Sequence, residues 1–231
     1  MIKNFLHFQE VSVFGIDHFR DPATVITNII LFAIAIAAFL KLSKFKTDSN
    51  PEIKVLSSGW RLFFLFGAFA YVTGVPVHGF SWYIPEQTHF YIWIFMGWVQ
   101  NLAVVFAQFA TATVYFPKQL RWIKPLIIIQ FVFFCGLMVY IRRFGAVNID
   151  VAIALVPIAC LHIYLFSKKR LATSMVGWGI LFSALAGIAF VFKLMIGTWF
   201  SYIDIAHVIL AGSLLLIYSG LVKNFRSASN S

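Results

Sequence analysis

The sequence predicts an all-α integral membrane protein, a bundle of seven transmembrane helices with its N-terminus outside and its C-terminus in the cytoplasm. Three observations carry this. Of the 231 residues 61% are hydrophobic and only 11% charged, whereas soluble domains carry about 25% charged residues. The apolar residues gather into seven runs, each near the length of about 20 residues that crosses a hydrocarbon core as a helix. The basic residues collect in alternate loops, and that asymmetry sets orientation.

The first run, Pro22 to Leu42, opens with Asp21-Pro22, a plausible cap followed by a first-turn proline. Six more follow: Trp60 to Phe80, His89 to Phe116, Pro125 to Ile141, Ile149 to Phe166, Met175 to Ile196 and Tyr202 to Val222. Residues 22–222 thus form the transmembrane domain, and 223–231 a short cytoplasmic tail. Residues 1–21 contain no uninterrupted apolar core of the signal-peptide kind. Phe5, Phe8, Val11, Val13, Phe14 and Ile16 give them the character of an amphipathic segment lying at the membrane interface.

Thirteen basic residues fall on one side: Lys41, Lys44, Lys46, Lys54 and Arg61; Lys118, Arg121 and Lys124; Lys168, Lys169 and Arg170; Lys223 and Arg226. Against them stand Lys3, Arg20, Arg142 and Arg143, with Lys193 near that edge. The net charge of +10 is therefore a topology signal, and nucleic acid is excluded as a partner in favour of the lipid bilayer. Cys135 and Cys160 sit inside apolar runs and read as small buried hydrophobes. Trp60, Trp82, Trp122, Trp199, Tyr83 and Tyr202 fall near helix ends, where aromatic belts form.

With the topology set, polar residues of five helices share one level near the outer face: Asn28, His78, Glu86 with His89, Lys193, and Asp204 with His207. The last two open the final helix in SYIDIAHVILAG, three residues apart and so on one face. Ionisable groups inside a membrane cost several kcal/mol and persist where they face one another or water. Imidazole is the commonest protein metal ligand, and three histidines with an open fourth position make a catalytic zinc arrangement. His78, His89 and His207 are thus candidate metal ligands. Asp204 is the candidate catalytic residue, as base or as orienter of a ligand; a metal-free polar network is the competing reading. Lys193 snorkels or pairs with Asp204, Asn28 hydrogen-bonds between helices, and Glu86 is a solvated loop residue. Gln100, Asn101 and Gln108 either join helices or line a cavity. His162, alone near the inner end of the fifth run, reads as an interfacial or hydrogen-bonded histidine.

This arrangement resembles the CREST superfamily of seven-helix membrane hydrolases, which includes alkaline ceramidases and the adiponectin-receptor and haemolysin III group. His78 in VTGVPVHGF stands where the helix-two histidine of that superfamily stands, and His207 matches the second histidine of its helix-seven HxxxH pair. Gly74 replaces the helix-two Ser, with Thr73 beside it. His89 stands in place of the Asp of helix three, and Ile203 in place of the first helix-seven histidine. The resemblance implies a zinc-dependent intramembrane hydrolase acting on a lipid-like amide or ester, in a divergent member from a bacterial plasma membrane. The alternatives are a non-catalytic metal- or ligand-binding relative acting as a sensor, and, further off, a transporter or a haem protein. A retinal protein is excluded, because the last run offers no Lys for a Schiff base.

Overall fold

A computed structural model describes residues 10–13, 16–44, 50–197 and 200–229. It consists of a two-stranded hairpin followed by seven helices. The helices are α1 (Pro22–Ser43), α2 (Pro51–Gly79), α3 (Glu86–Tyr115), α4 (Leu120–Ile141), α5 (Gly145–Ser167), α6 (Met175–Val191) and α7 (Tyr202–Ser229). All but α6 are long and apolar enough to cross a membrane. The outer surface supports the same conclusion: α4 exposes Leu126, Ile128, Ile129, Val132 and Phe133 in one continuous stretch. An apolar surface of that kind needs lipid or protein against it.

Hydropathy locates the apolar centre of a helix, while its ends depend on caps, and so the helices outrun the apolar runs. The start of α2 lies nine positions before Trp60 because Asn50 accepts hydrogen bonds from the Glu52 and Ile53 amides, with Pro51 in the first turn. At the other end of the chain, residues 223–229 are no separate tail. α7 continues through them, held by buried Phe225 and by Asn224, whose side chain accepts from the Thr173 amide and donates to the Thr173 carbonyl. α6 stops at Val191, before Ile196, since Lys193 takes a left-handed conformation with φ of 50°. Its 17 residues reach only about 25 Å at 1.5 Å per residue.

The segment expected to lie amphipathically at the interface contains an antiparallel hairpin, β1 (Glu10–Val13) with β2 (Ile16–Arg20), pairing Glu10 with Arg20 and Val11 with Phe19. Backbone pairing within 10–20 satisfies amide groups that a water–lipid boundary would leave exposed. Phe5, Phe8, Phe14, Lys3, Lys46 and Trp199 lie outside the described residues.

α1 packs between α2 and α7, and α3 lies against α2, α4 and α5; α5 meets α6, which in turn packs on α7. One core runs through α1, α2, α3, α5, α6 and α7, with Leu31, Trp60, Phe64, Val104, Ile217 and Leu221 at its centre. α4 is peripheral, burying only Ile127, Phe134 and Met138. Close approach of α2 and α3 depends on Gly59, where any side chain would run into Ala110 and the Phe106 carbonyl, the small-residue contact by which membrane helices associate. Trp60 is not a belt residue: it is fully buried and packs edge-on against Phe63 at 5.2 Å. The cysteines also depart from the sequence reading, Cys135 being half-buried and Cys160 exposed.

Candidate functional site

The site begins with four residues on two helices. Thr24 and Thr27 are three apart on α1; Asp204 and His207 are three apart on α7. The Thr24 hydroxyl donates to Asp204 Oδ1 at 2.7 Å, and Thr27 Oγ1 lies 2.9 Å from His207 Nδ1. Residue numbers rise together along both rungs, so the first and last helices run parallel and start at the same end of the bundle.

Asp204 has a second set of partners. Its Oδ2 accepts from both the Ser201 amide and the Ser201 hydroxyl, each at 2.7 Å, while the Asp204 amide faces Ser201 Oγ at 3.4 Å. This is a capping box, in which Ser201 and the residue three positions on satisfy each other's free amides at a helix start. Three donors therefore converge on one carboxylate that is only 2% exposed. Lys193 is not among them; its side chain is exposed.

The Thr27 hydroxyl lies within hydrogen-bond distance of both the Thr24 carbonyl, at 3.0 Å, and His207 Nδ1. When its proton goes to the carbonyl, Nδ1 of His207 carries the ring hydrogen and Nε2 keeps its lone pair. His89, in the first turn of α3, is placed in the same way. Its Nε2 donates to the Val77 carbonyl at 3.0 Å, which ties the start of α3 to the end of α2 and leaves Nδ1 as the basic nitrogen.

His78, in the last turn of α2, has its Nδ1 at 3.9 Å from Asp21 Oδ2, a charge contact too long for a hydrogen bond. Asp21 was the expected side-chain cap of α1. It makes no capping bond, and its backbone is left-handed with φ of 43°; the carboxylate is turned toward His78. A left-handed non-glycine costs on the order of 1 kcal/mol, so this turn is held by its surroundings.

Asn28 and Gly74 close the floor. The Asn28 amide donates within its own helix, to the Thr24 carbonyl at 2.9 Å, so its bond does not cross to α2. Its other face lies against Gly74, where a Cβ would stand 2.6 Å from Asn28 Oδ1. Gly74 is thus a position where this fold has no room for a side chain. The hydroxyl of Thr73 beside it donates to the Phe69 carbonyl at 2.7 Å.

Of the residues expected from sequence, the structure joins Asp204 and His207 through α1 and sets His78 against Asp21 at the start of that helix. His89 is anchored to the neighbouring backbone. Among the described residues, no three His, Cys, Asp or Glu side chains are gathered closely enough to hold a metal ion. The donor set fits zinc in kind, since His207 and His89 each present one lone-pair nitrogen with the opposite nitrogen held by an oxygen. It does not present a closed ligand sphere. Glu86, expected in a loop, is the first residue of α3 and exposed.

Thr24, Thr27 and Asp21 were not singled out from sequence as partners, although Thr24 and Thr27 have the same three-residue spacing as Asp204 and His207. A second buried carboxylate was also missed. Asp150 on α5 is 1% exposed and accepts from Gln130 Nε2 at 2.6 Å, and Gln130 in turn accepts from Gln108. Gln108 therefore joins helices, whereas Asn101 is fully buried beside Cys135 of α4.

A helical bundle with an apolar exterior and polar side chains paired inside defines a membrane protein with several spanning helices. The chain belongs to a family of unknown function, DUF6962, whose profile matches residues 23–224. No curated protein and no solved structure matches it.

Proposed function

We propose that this chain is a metal-binding membrane protein whose N-terminus faces outward, with His78, His89 and His207 as the ligands, which the ion would have to draw together because no three such side chains are gathered among the described residues. The orientation rests on the basic residues of alternate loops. The metal reading rests on one observation: the Thr27 hydroxyl engages Nδ1 of His207 at 2.9 Å, a contact that suits the tautomer with Nε2 free. Metal-binding histidines are held in this way, one nitrogen by an oxygen and the other on the ion. Zinc is the ion that suits imidazole donors without thiolates.

Zinc would supply Lewis acidity and a lowered water pKa, the chemistry of a hydrolase acting on a lipid-like amide or ester. The non-catalytic form of the reading, a metal or ligand sensor, is favoured by the state of Asp204. Both of its oxygens are taken by Thr24 and Ser201, which suits a residue that positions α7 better than one that takes a proton. Metal analysis of the protein purified in lipid nanodiscs tests the shared core. One zinc per chain is expected, lost in His207→Ala. Absence of stoichiometric metal, or its full retention in that variant, sinks the proposal. Hydrolysis of a fluorogenic lipid amide or ester by the zinc-loaded protein would select the enzyme over the sensor.

A further inference from the structure

The opposite end of the bundle holds a second polar group, unconnected with the histidines above. His162 on α5 is 2% exposed, and neither of its ring nitrogens has a hydrogen-bond partner among the described residues. It is neither interfacial nor hydrogen-bonded, contrary to the expectation from sequence. Trp60 on α2 is fully buried, and among the described residues its indole Nε1 is likewise unpartnered. The imidazole stands edge-on to Trp60 and to Tyr115 of α3, with ring centroids 6.4 Å away in each case.

These three rings line one cavity of about 130 Å³, with Glu52 and Arg170 also on its wall. Both of those residues are exposed. A water molecule needs about 10–15 Å³ measured in this way, and an engineered cavity of about 150 Å³ takes benzene. The space therefore suits a small organic molecule. The other polar side chains of the wall are already used, Asn50 in capping α2 and Asn224 in holding Thr173. That leaves an indole N–H, an imidazole, a phenol and, at the mouth, a guanidinium. An unpaired buried donor costs about 1–3 kcal/mol, so two such residues facing one space call for an acceptor in it.

The indole N–H can only donate, the imidazole and phenol can each donate as well, and Arg170 adds positive charge at the mouth, a combination that favours an anionic acceptor. Glu52 at the same mouth opposes a second negative charge. Leu56, Val114 and Leu221 supply apolar wall between the polar groups. We propose that this cavity between α2, α3, α5 and α7 binds a small monocarboxylate with a short apolar tail. The carboxylate sits among Trp60 Nε1, His162 and Tyr115, and Arg170 guards the entrance.

Titration calorimetry of the full chain in nanodiscs, with propionate as probe, tests this. Chloride at equal ionic strength and inorganic phosphate are the comparators. Saturable one-to-one binding of propionate is expected, weakened about tenfold or more in Trp60→Phe and in Arg170→Gln and unchanged in His207→Ala. The last variant separates this site from the metal centre. No saturable heat beyond that of chloride, which is the result if the cavity holds only water, overturns the proposal. Phosphate binding as tightly as propionate overturns it too, as does unaltered affinity in both cavity variants. Arg170 is on the surface, so Arg170→Gln keeps the test decisive if Trp60→Phe does not fold.

Discussion

The hydroxyl of Thr24 donates to the carboxylate of Asp204 across 2.7 Å, joining residues 180 positions apart. It closes the bundle by tying the first helix to the last, and with the Thr27–His207 contact it sets their register. Both ends of the Thr24–Asp204 bond are shielded from solvent, Thr24 being 1% and Asp204 2% exposed. Removing one partner therefore leaves a buried acceptor without its donor. Thr24→Val keeps the shape of the side chain and deletes the donor. The expected loss is about 1–2 kcal/mol, read as a lower unfolding midpoint in nanodiscs or mild detergent. A midpoint equal to wild type would mean that the bond contributes nothing.

The capping box at the start of α7 predicts a smaller local effect. Ser201→Ala removes the hydroxyl that faces both the Asp204 amide and its carboxylate. Cap removal costs on the order of 1 kcal/mol. Faster hydrogen exchange confined to residues 202–206 is the expected signature, because fraying acts on the first turn. Exchange unchanged there, or raised evenly along α7, would argue against the cap.

Gly74 predicts a clash and its relief. Gly74→Ser places a Cβ against Asn28 Oδ1 and should destabilise the protein by about 1–3 kcal/mol, the usual cost of overpacking. Combining it with Asn28→Ala should recover a large part of that loss. In a double-mutant cycle the coupling energy should be about 0.5 kcal/mol or more. Additive losses would show that the two residues do not meet.

The Thr27 hydroxyl predicts an effect on the metal rather than on the fold. Thr27→Val removes the oxygen that accepts from His207 Nδ1 and frees the ring to turn. Loss of such an orienting partner typically lowers metal affinity 10–100-fold. Competition with a zinc chelator should show that drop, with the His162→Phe protein unaffected.

Asp150 predicts a stability defect in the other half of the bundle. Gln130→Leu removes the one hydrogen bond to its side chain found among the described residues, at an expected cost of about 1–3 kcal/mol. Asp150→Leu in the same background should restore part of that loss, because replacing both partners by apolar groups leaves nothing unpaired. A double variant as unstable as Gln130→Leu alone would contradict this.

What the sequence determined by itself was what local chemistry determines. Hydropathy over a window reports the cost of placing residues in lipid, and so the seven helices and their order were legible; the outermost turns were not. Asn50, Ser201 and Asn224 extend or fasten helices through single hydrogen bonds that carry no hydropathy signal. The shared level of His78, His89, Asp204 and His207 also followed from chain direction alone, because alternate helices return to the same end. Which of these groups touch is different in kind. Thr24 and Asp204 meet only because α1 and α7 are packed in parallel, and no periodicity within either helix encodes the other's rotation about its axis. For the same reason His162 looked like an ordinary helix-end histidine until α2 and α3 placed Trp60 and Tyr115 around it, with a cavity between them. The sequence decided that polar residues lie inside an apolar bundle, since the membrane penalises them residue by residue. Tertiary packing decided which are satisfied and which are left facing empty space, since a hydrogen bond depends on the position of two groups and a sequence position specifies only one.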